Sequence, residues 1–218
     1  MTNKWIRIGV CCVSLGIAST TAQASEGWGL DSLQRVVKEA GSQIRKVRDA
    51  AAPASSVVNN RGTVEVAFSP NQGAEELVLR VIDSAKTDLR VMAYSFTSAK
   101  VTSALVRAVK RGVTVYLLAD KKHNMGEGSG NKAKSALSTL QLAGANIRLV
   151  GVYAIFHDKI ILSDGQHLQT GSFNYSQSAA TRNSENVIVH WGNPDLAAVY
   201  AEHFSRNWKR SEPFTLDF

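Results

Sequence analysis

The sequence predicts a layered α/β/α domain with a mixed, largely parallel central sheet, preceded by an N-terminal helix. Three observations carry this expectation. From Thr63 onward, short runs rich in Val, Ile and Leu alternate with longer stretches whose apolar residues recur at helical spacing. That strand–helix rhythm is the pattern of βαβ units. Asp164-Gly165 lies between two strand-like runs and signals a tight hairpin. The 218 residues are enough for one domain with a full core.

The elements follow in order. Lys4 and Arg7 form a positive start, Ile8–Ala18 is a short apolar run, and Ala22-Gln23-Ala24 reads as a cleavage site. Residues 1–24 therefore read as a secretory signal peptide, with a periplasmic or secreted product starting at Ser25. Residues 25–62 form a basic amphipathic helix and a linker. Leu30, Leu33, Val37, Ala40, Ile44 and Val47 make a narrow apolar seam among Arg35, Lys38, Arg45, Lys46 and Arg48. Packing on its own domain is the plain reading of that helix. Contact of residues 30–48 with an anionic membrane is the sharper one. Residues 63–218 are the main domain. Strands are expected at Thr63–Phe68, Leu89–Phe96, Val113–Leu118 and Ile147–Val150. Helices are expected at Ala74–Lys86, Ala99–Arg111 and Asn131–Ala143. Hairpin strands at Lys159–Ser163 and His167–Thr170, a strand at Asn186–Trp191 and a helix from Pro194 to Trp208 complete it.

Composition narrows the function. Both cysteines, Cys11 and Cys12, fall in the signal segment, so the mature chain would lack a disulfide, a thiol nucleophile and a cysteine zinc site. Loss of Lys4 and Arg7 lowers the formal net charge from +7 to +5. A basic exported protein suits polyanions, either nucleic acid or an anionic membrane surface.

The chemistry is concentrated in one stretch. His157 and Lys159 are two residues apart at the start of an apolar strand, so they share a face. The hairpin at Asp164-Gly165 would carry Gly171-Ser172-Phe173-Asn174 back toward them. Imidazole, ammonium, hydroxyl and amide then gather in one place. Such a set can attack and hold a phosphate without a metal: imidazole is the nucleophile, while Lys, Ser and Asn neutralise or donate to the non-bridging oxygens. Gly171 lets the backbone come close to substrate. Ser172 is either a phosphate contact or a hydroxyl that caps the turn. Asp164 is explained by turn geometry alone and is read as structural.

The pattern H-x-K-x4-D-x6-G-S-x-N, met at every defined position from His157 to Asn174, resembles the signature of the phospholipase D superfamily. The flanks Ala67-Phe68-Ser69-Pro70, Ala93-Tyr94-Ser95-Phe96-Thr97 and Asn183-Ser184-Glu185-Asn186 are similar to those of its Nuc-type single-motif endonucleases. The resemblance implies a metal-independent phosphodiesterase, without cofactor, that works through a phosphohistidine. A second motif histidine protonates the leaving oxygen and then activates water. It implies His157 as nucleophile or acid/base and Lys159 and Asn174 on the phosphate oxygens. Glu185 would accept a hydrogen bond from an imidazole nitrogen, a surface carboxylate being its alternative. It also implies a homodimer, since one chain carries one motif. DNA is the expected substrate, and anionic phospholipid is the alternative. No apolar loop cluster for acyl chains is evident near the motif. His123, His167, His190 and His203 lack motif context and read as ordinary residues. Lys121-Lys122-His123-Asn124 with the glycine-rich run to Gly130 reads as a basic loop, suited to a nucleic-acid backbone or simply solvated.

Overall fold

The computed structural model describes residues 31, 34–35, 37–43, 55–126 and 130–215. They fall in two compact units, Met1–Ala54 and Ser55–Phe218. In the first unit the described residues are helical and lie within the expected basic helix. The expected signal segment lies outside the described residues.

The second unit runs β1 (Thr63–Ser69), α1 (Ala74–Ser84), β2 (Asp88–Ala93), α2 (Ala99–Lys110), β3 (Thr114–Asp120), α3 (Lys121–Met125), α4 (Gly130–Ala143), β4 (Asn146–Val150), β5 (Lys159–Ser163), β6 (His167–Gly171), α5 (Gln177–Thr181), β7 (Glu185–Trp191), α6 (Pro194–Arg210) and β8 (Glu212–Pro213). The strands form one sheet in the order β1-β7-β6-β5-β2-β3-β4-β8.

The layered architecture and the mixed sheet are as expected, but the sheet is not largely parallel. Among the described strands only β2–β3 and β3–β4 are parallel. The other neighbours are antiparallel. The reason is connectivity. Helical crossovers join β2 to β3 and β3 to β4, which permits parallel pairing. The hairpin at Asp164-Gly165 forces β5 and β6 antiparallel, and β7 pairs antiparallel with β6 and with β1. Asp164 and Gly165 have φ of 54° and 62°, the left-handed conformations that a two-residue turn of this hand requires.

Alternation along each strand sorts side chains into two layers. Val91, Leu117 and Ile161 pack with Leu77, Val81, Leu105 and Leu137 of α1, α2 and α4. Met92, Leu118, Ile160 and Leu162 pack on the other face with Ala197 and Phe204 of α6. A large apolar side chain fully buried in this way contributes about 1.5–3 kcal/mol. A one-residue register slip would exchange the two layers. Ser98 caps α2 by accepting from Val101 N at 3.3 Å. Asn193 caps α6 by accepting from Leu196 N at 3.1 Å, with Pro194 in the first turn.

The topology gives the sheet one functional end. β2 and β3 finish there and β5 begins there, with Lys159 opposite Ala93. β6 finishes there and β7 begins there, with Gly171 opposite Val187. In open α/β sheets, ligands bind beyond the carboxyl ends of the parallel strands.

Candidate active site

Lys159 is the least expected residue at this end, because its side chain is only 5% exposed. Lys is seldom buried unless paired. Its ammonium donates to the His157 carbonyl oxygen at 2.8 Å and lies 5.3 Å from the Tyr94 ring centroid. Burial pushes its pKa down, against the pull of the Asp158 and Glu185 carboxylates, and burial prevails. His157 is exposed, and its ring sits 4.6 Å from the same Tyr94 ring. Tyr94 thus borders both the His157 ring and the Lys159 ammonium. On the sequence it was only a flank of the motif.

The returning strand completes the site. Gly171 has φ of 145°, and a Cβ there would come within 2.2 Å of the Asn186 carbonyl oxygen, so glycine is required by close approach. Ser172 Oγ donates to Glu185 Oε2 at 2.6 Å and accepts from Asn186 N at 3.1 Å. Asn183 Nδ2 donates to Glu185 Oε1 at 2.9 Å. The described hydrogen bonds of Glu185 therefore run to Ser172 and Asn183, and none runs to His157. Ser172 holds a carboxylate and a backbone amide together at the mouth of the hairpin. The Asn174 side-chain oxygen is buried without a protein partner among the described residues.

Asp164 sits at the other end of the hairpin. Its carboxylate accepts from Lys86 N at 2.9 Å, from Thr87 N and Thr87 Oγ1 at 2.8 Å, and from Asp88 N at 3.1 Å. Burial pushes its pKa up, and those hydrogen bonds together outweigh burial and hold it below the usual range. The motif aspartate thus ties the β5–β6 turn to the start of β2.

Several positioning groups had no signal in the sequence. Asp120 Oδ1 accepts from His123 N at 2.6 Å, and Oδ2 from Phe156 N at 2.7 Å. One buried carboxylate therefore starts α3 and fixes the backbone just before His157. Asn124 is fully buried. It donates to Tyr94 O at 2.6 Å and Asp120 O at 2.8 Å and accepts from Phe96 N at 3.0 Å. Lys121–Asn124 is accordingly a helix and not the loop expected from its polar residues, because both its ends are anchored. It brings the His123 ring 4.2 Å from Tyr94. A second expectation also fails. Val152, Tyr153 and Ile155, just before the motif, are 56%, 43% and 53% exposed, so an apolar loop does flank His157. Among the described residues no group of three or more His, Cys, Asp and Glu is placed to hold a metal ion.

Comparison with known proteins agrees with this fold. Residues 78–208 match the family described as cardiolipin synthase, PLD-like domain. The chain is similar to a phospholipase D of Rickettsia conorii, with 35% identity over 68% of this chain and 69% of that one. It is similar to a mitochondrial cardiolipin hydrolase of Danio rerio, with 31% identity over 61% of this chain and 56% of that one. Among solved structures it resembles Nuc from Salmonella typhimurium, a phospholipase D family member. That likeness has a TM-score of 0.67 and 40% identity, and covers 71% of this chain and 99% of that one. The motif, the fold and these likenesses together establish that the chain belongs to the phospholipase D superfamily.

Proposed function

We propose that the protein is an exported endonuclease that hydrolyses phosphodiester bonds of nucleic acid, DNA above all, with little sequence preference and without a metal. The observation that carries this reading is the pairing of a buried Lys159 with an exposed His157 on one tyrosine ring. A cation held in low dielectric is preorganised for a phosphate's charge, while the imidazole stays accessible for attack. The His157 imidazole would displace the leaving oxygen at phosphorus and form a phosphohistidine. A second imidazole would give its proton to that oxygen, then take one from water as the water attacks the phosphohistidine and frees His157. Lys159, Asn174 and Ser172 would serve the phosphate oxygens, and Glu185 would hold Ser172.

The second imidazole would come from a second copy of the chain across a two-fold axis. Two exposed apolar patches support a homodimer. Val64, Val66 and Phe68 on edge strand β1 are 46%, 49% and 50% exposed, and the Val152–Ile155 loop borders His157. Phe68 pairs with Asn186, whose backbone amide donates to Ser172, so the β1 patch runs into the site. Nucleic acid is favoured by the basic net charge, by Lys121 and Lys122 at the same sheet end, and by the likeness to Nuc-type endonucleases. Anionic phospholipid is the second reading, supported by the apolar loop beside His157 and by the names of the rickettsial and zebrafish relatives.

Purified mature protein with plasmid DNA in excess EDTA, against vesicles rich in cardiolipin, tests the choice. DNA cleavage that survives EDTA and is lost in His157→Ala is the expected result. Vesicle hydrolysis with intact plasmid would move the assignment to lipid. Loss of cleavage in EDTA and return with magnesium would overturn the mechanism.

A further inference from the structure

A histidine outside the motif holds the residue between His157 and Lys159. Asp158 is that residue, and Tyr94 N donates to its carbonyl at 2.9 Å. His203 on α6 meets the Asp158 carboxylate with Nε2 to Oδ2 at 2.9 Å. Arg206, one turn on, places its guanidinium 3.5 Å from His203 Nδ1. A carboxylate oxygen only accepts, so the short contact to Asp158 places a hydrogen on Nε2, and Asn207 Nδ2, 3.2 Å from the same nitrogen, directs its hydrogen bond to the His203 carbonyl. Asn207 is 1% exposed, donates to the His203 carbonyl at 3.1 Å and accepts from the Tyr153 hydroxyl at 2.8 Å. The last helix is thus bonded both to the motif and to the apolar loop before it.

We propose that His203 is a positioning residue for the phosphate site, acting through Asp158 to fix the segment that carries His157 and Lys159. The inference rests on the phosphodiesterase reading. Its physical basis is that Asp158 is held twice, by its carboxylate on α6 and by its carbonyl on Tyr94 N, so the backbone joining His157 to Lys159 has less freedom than a segment held at one point. A carboxylate so pinned also keeps its charge where it acts on the Lys159 ammonium. The Lys159 ammonium touches the His157 carbonyl and the Tyr94 ring, and it feels the negative charge of the Asp158 and Glu185 carboxylates. Those facing His203 are Asp158, Arg206 and Asn207. Freed from His203, the Asp158 carboxylate would turn to water and be screened, and Lys159 would lose its proton at lower pH.

The test uses the full mature protein, bis(p-nitrophenyl) phosphate as a diester that commits to neither DNA nor lipid, and the variants His203→Ala, His203→Gln, Asp158→Asn and the double variant His203→Ala/Asp158→Asn. His203→Ala and Asp158→Asn should each lower kcat about tenfold, the scale of a small misplacement of reacting groups. Both should move the alkaline limb of the pH–rate profile to lower pH. The double variant should be no worse than either single one, because the two residues act as one unit. His203→Gln keeps an N–H donor and should recover most of the rate. Titration of Lys159 by NMR of ε-13C-lysine protein gives a readout independent of turnover, and its midpoint should fall in His203→Ala and not in His203→Gln. An unchanged Lys159 midpoint in folded His203→Ala, or additive losses in the double variant, would overturn the proposal. If wild type failed to cleave the diester, the phosphodiesterase reading would fall, and the Lys159 midpoint would still decide whether His203 acts through Asp158.

Discussion

At the scale of single residues, Lys159 shows how a functional group works against the fold. Its pKa is lowered by burial, which means the charged form is disfavoured in the folded state despite Asp158 and Glu185. A lysine with a folded pKa below its unfolded value costs stability at neutral pH. That cost disappears only as pH rises through the folded and then the unfolded pKa. Lys159→Met keeps the stem and removes the charge. It should abolish diester cleavage, by about 10²–10⁴-fold or more, while thermal unfolding at pH 7 occurs at an equal or higher temperature. A clear loss of thermal stability would show that the ammonium stabilises the fold. Residue type and spacing in the sequence propose His157, Lys159, Gly171, Ser172 and Asn174 for the chemistry. They could not give Tyr94, Asp120, Asn124 or His203 their parts. Each makes its contact with a segment far away in the chain, and no local spacing encodes such a contact.

At the scale of elements, the hairpin is fastened at both ends by different devices. Gly171 lets β6 close against Asn186 at the site, and Asp164 clamps the turn to the β2 start. Asp164 belongs to the stabilising kind of carboxylate. Its lowered pKa adds stability above its unfolded pKa, and that contribution is lost as pH falls through the folded value. Asp164→Asn keeps the shape but cannot accept from all three backbone amides. It should cost about 1–3 kcal/mol at pH 7, and the gap to wild type should shrink on acidification. At a temperature where both are folded, it should lose far less activity than His157→Ala. Urea unfolding at pH 7 and pH 3 with parallel rate measurements checks this, and a folded but inactive Asp164→Asn would give the aspartate a role in the chemistry. The hairpin was legible in the sequence because Asp-Gly between apolar runs has one common geometry. The parallel character of the sheet was over-read, since strand–helix alternation in the first half says nothing about how later strands return. The helix at Lys121–Met125 was illegible for a related reason. Four polar residues and a single methionine carry no apolar period, and hydrogen bonds from Asp120 and Asn124 make the helix.

At the scale of the whole molecule, the site is proposed to be completed by a second copy. A two-fold interface repeats one patch on both subunits. Wild-type and His157→Ala chains, unfolded and refolded together in equal amounts, then form pairs at random. If both imidazoles are needed, only wild-type pairs work, and about one quarter of the all-wild-type activity remains. Independent sites would leave about half. A result near half, or a fully active species sedimenting as one chain, would rule the shared site out.

The sheet's two borders are unlike. β8, two residues long, closes one side, whereas β1 offers a seven-residue border with apolar side chains on one face. A long flat border of that kind recruits further strands and seeds aggregates unless something spoils it. Glu65, in the middle of β1, has its carboxylate engaged by the Arg80 guanidinium and by Trp191 Nε1 at 3.0 Å. The Arg80 and Trp191 hydrogen bonds hold its pKa low, so it stays ionised. Glu65 alternates with Val64 and Val66 along the strand and is tied to Arg80 and Trp191, so its charge is kept off the face that those valines share with Phe68. That face is an apolar strip without a charge of its own, open to a partner that lies across it.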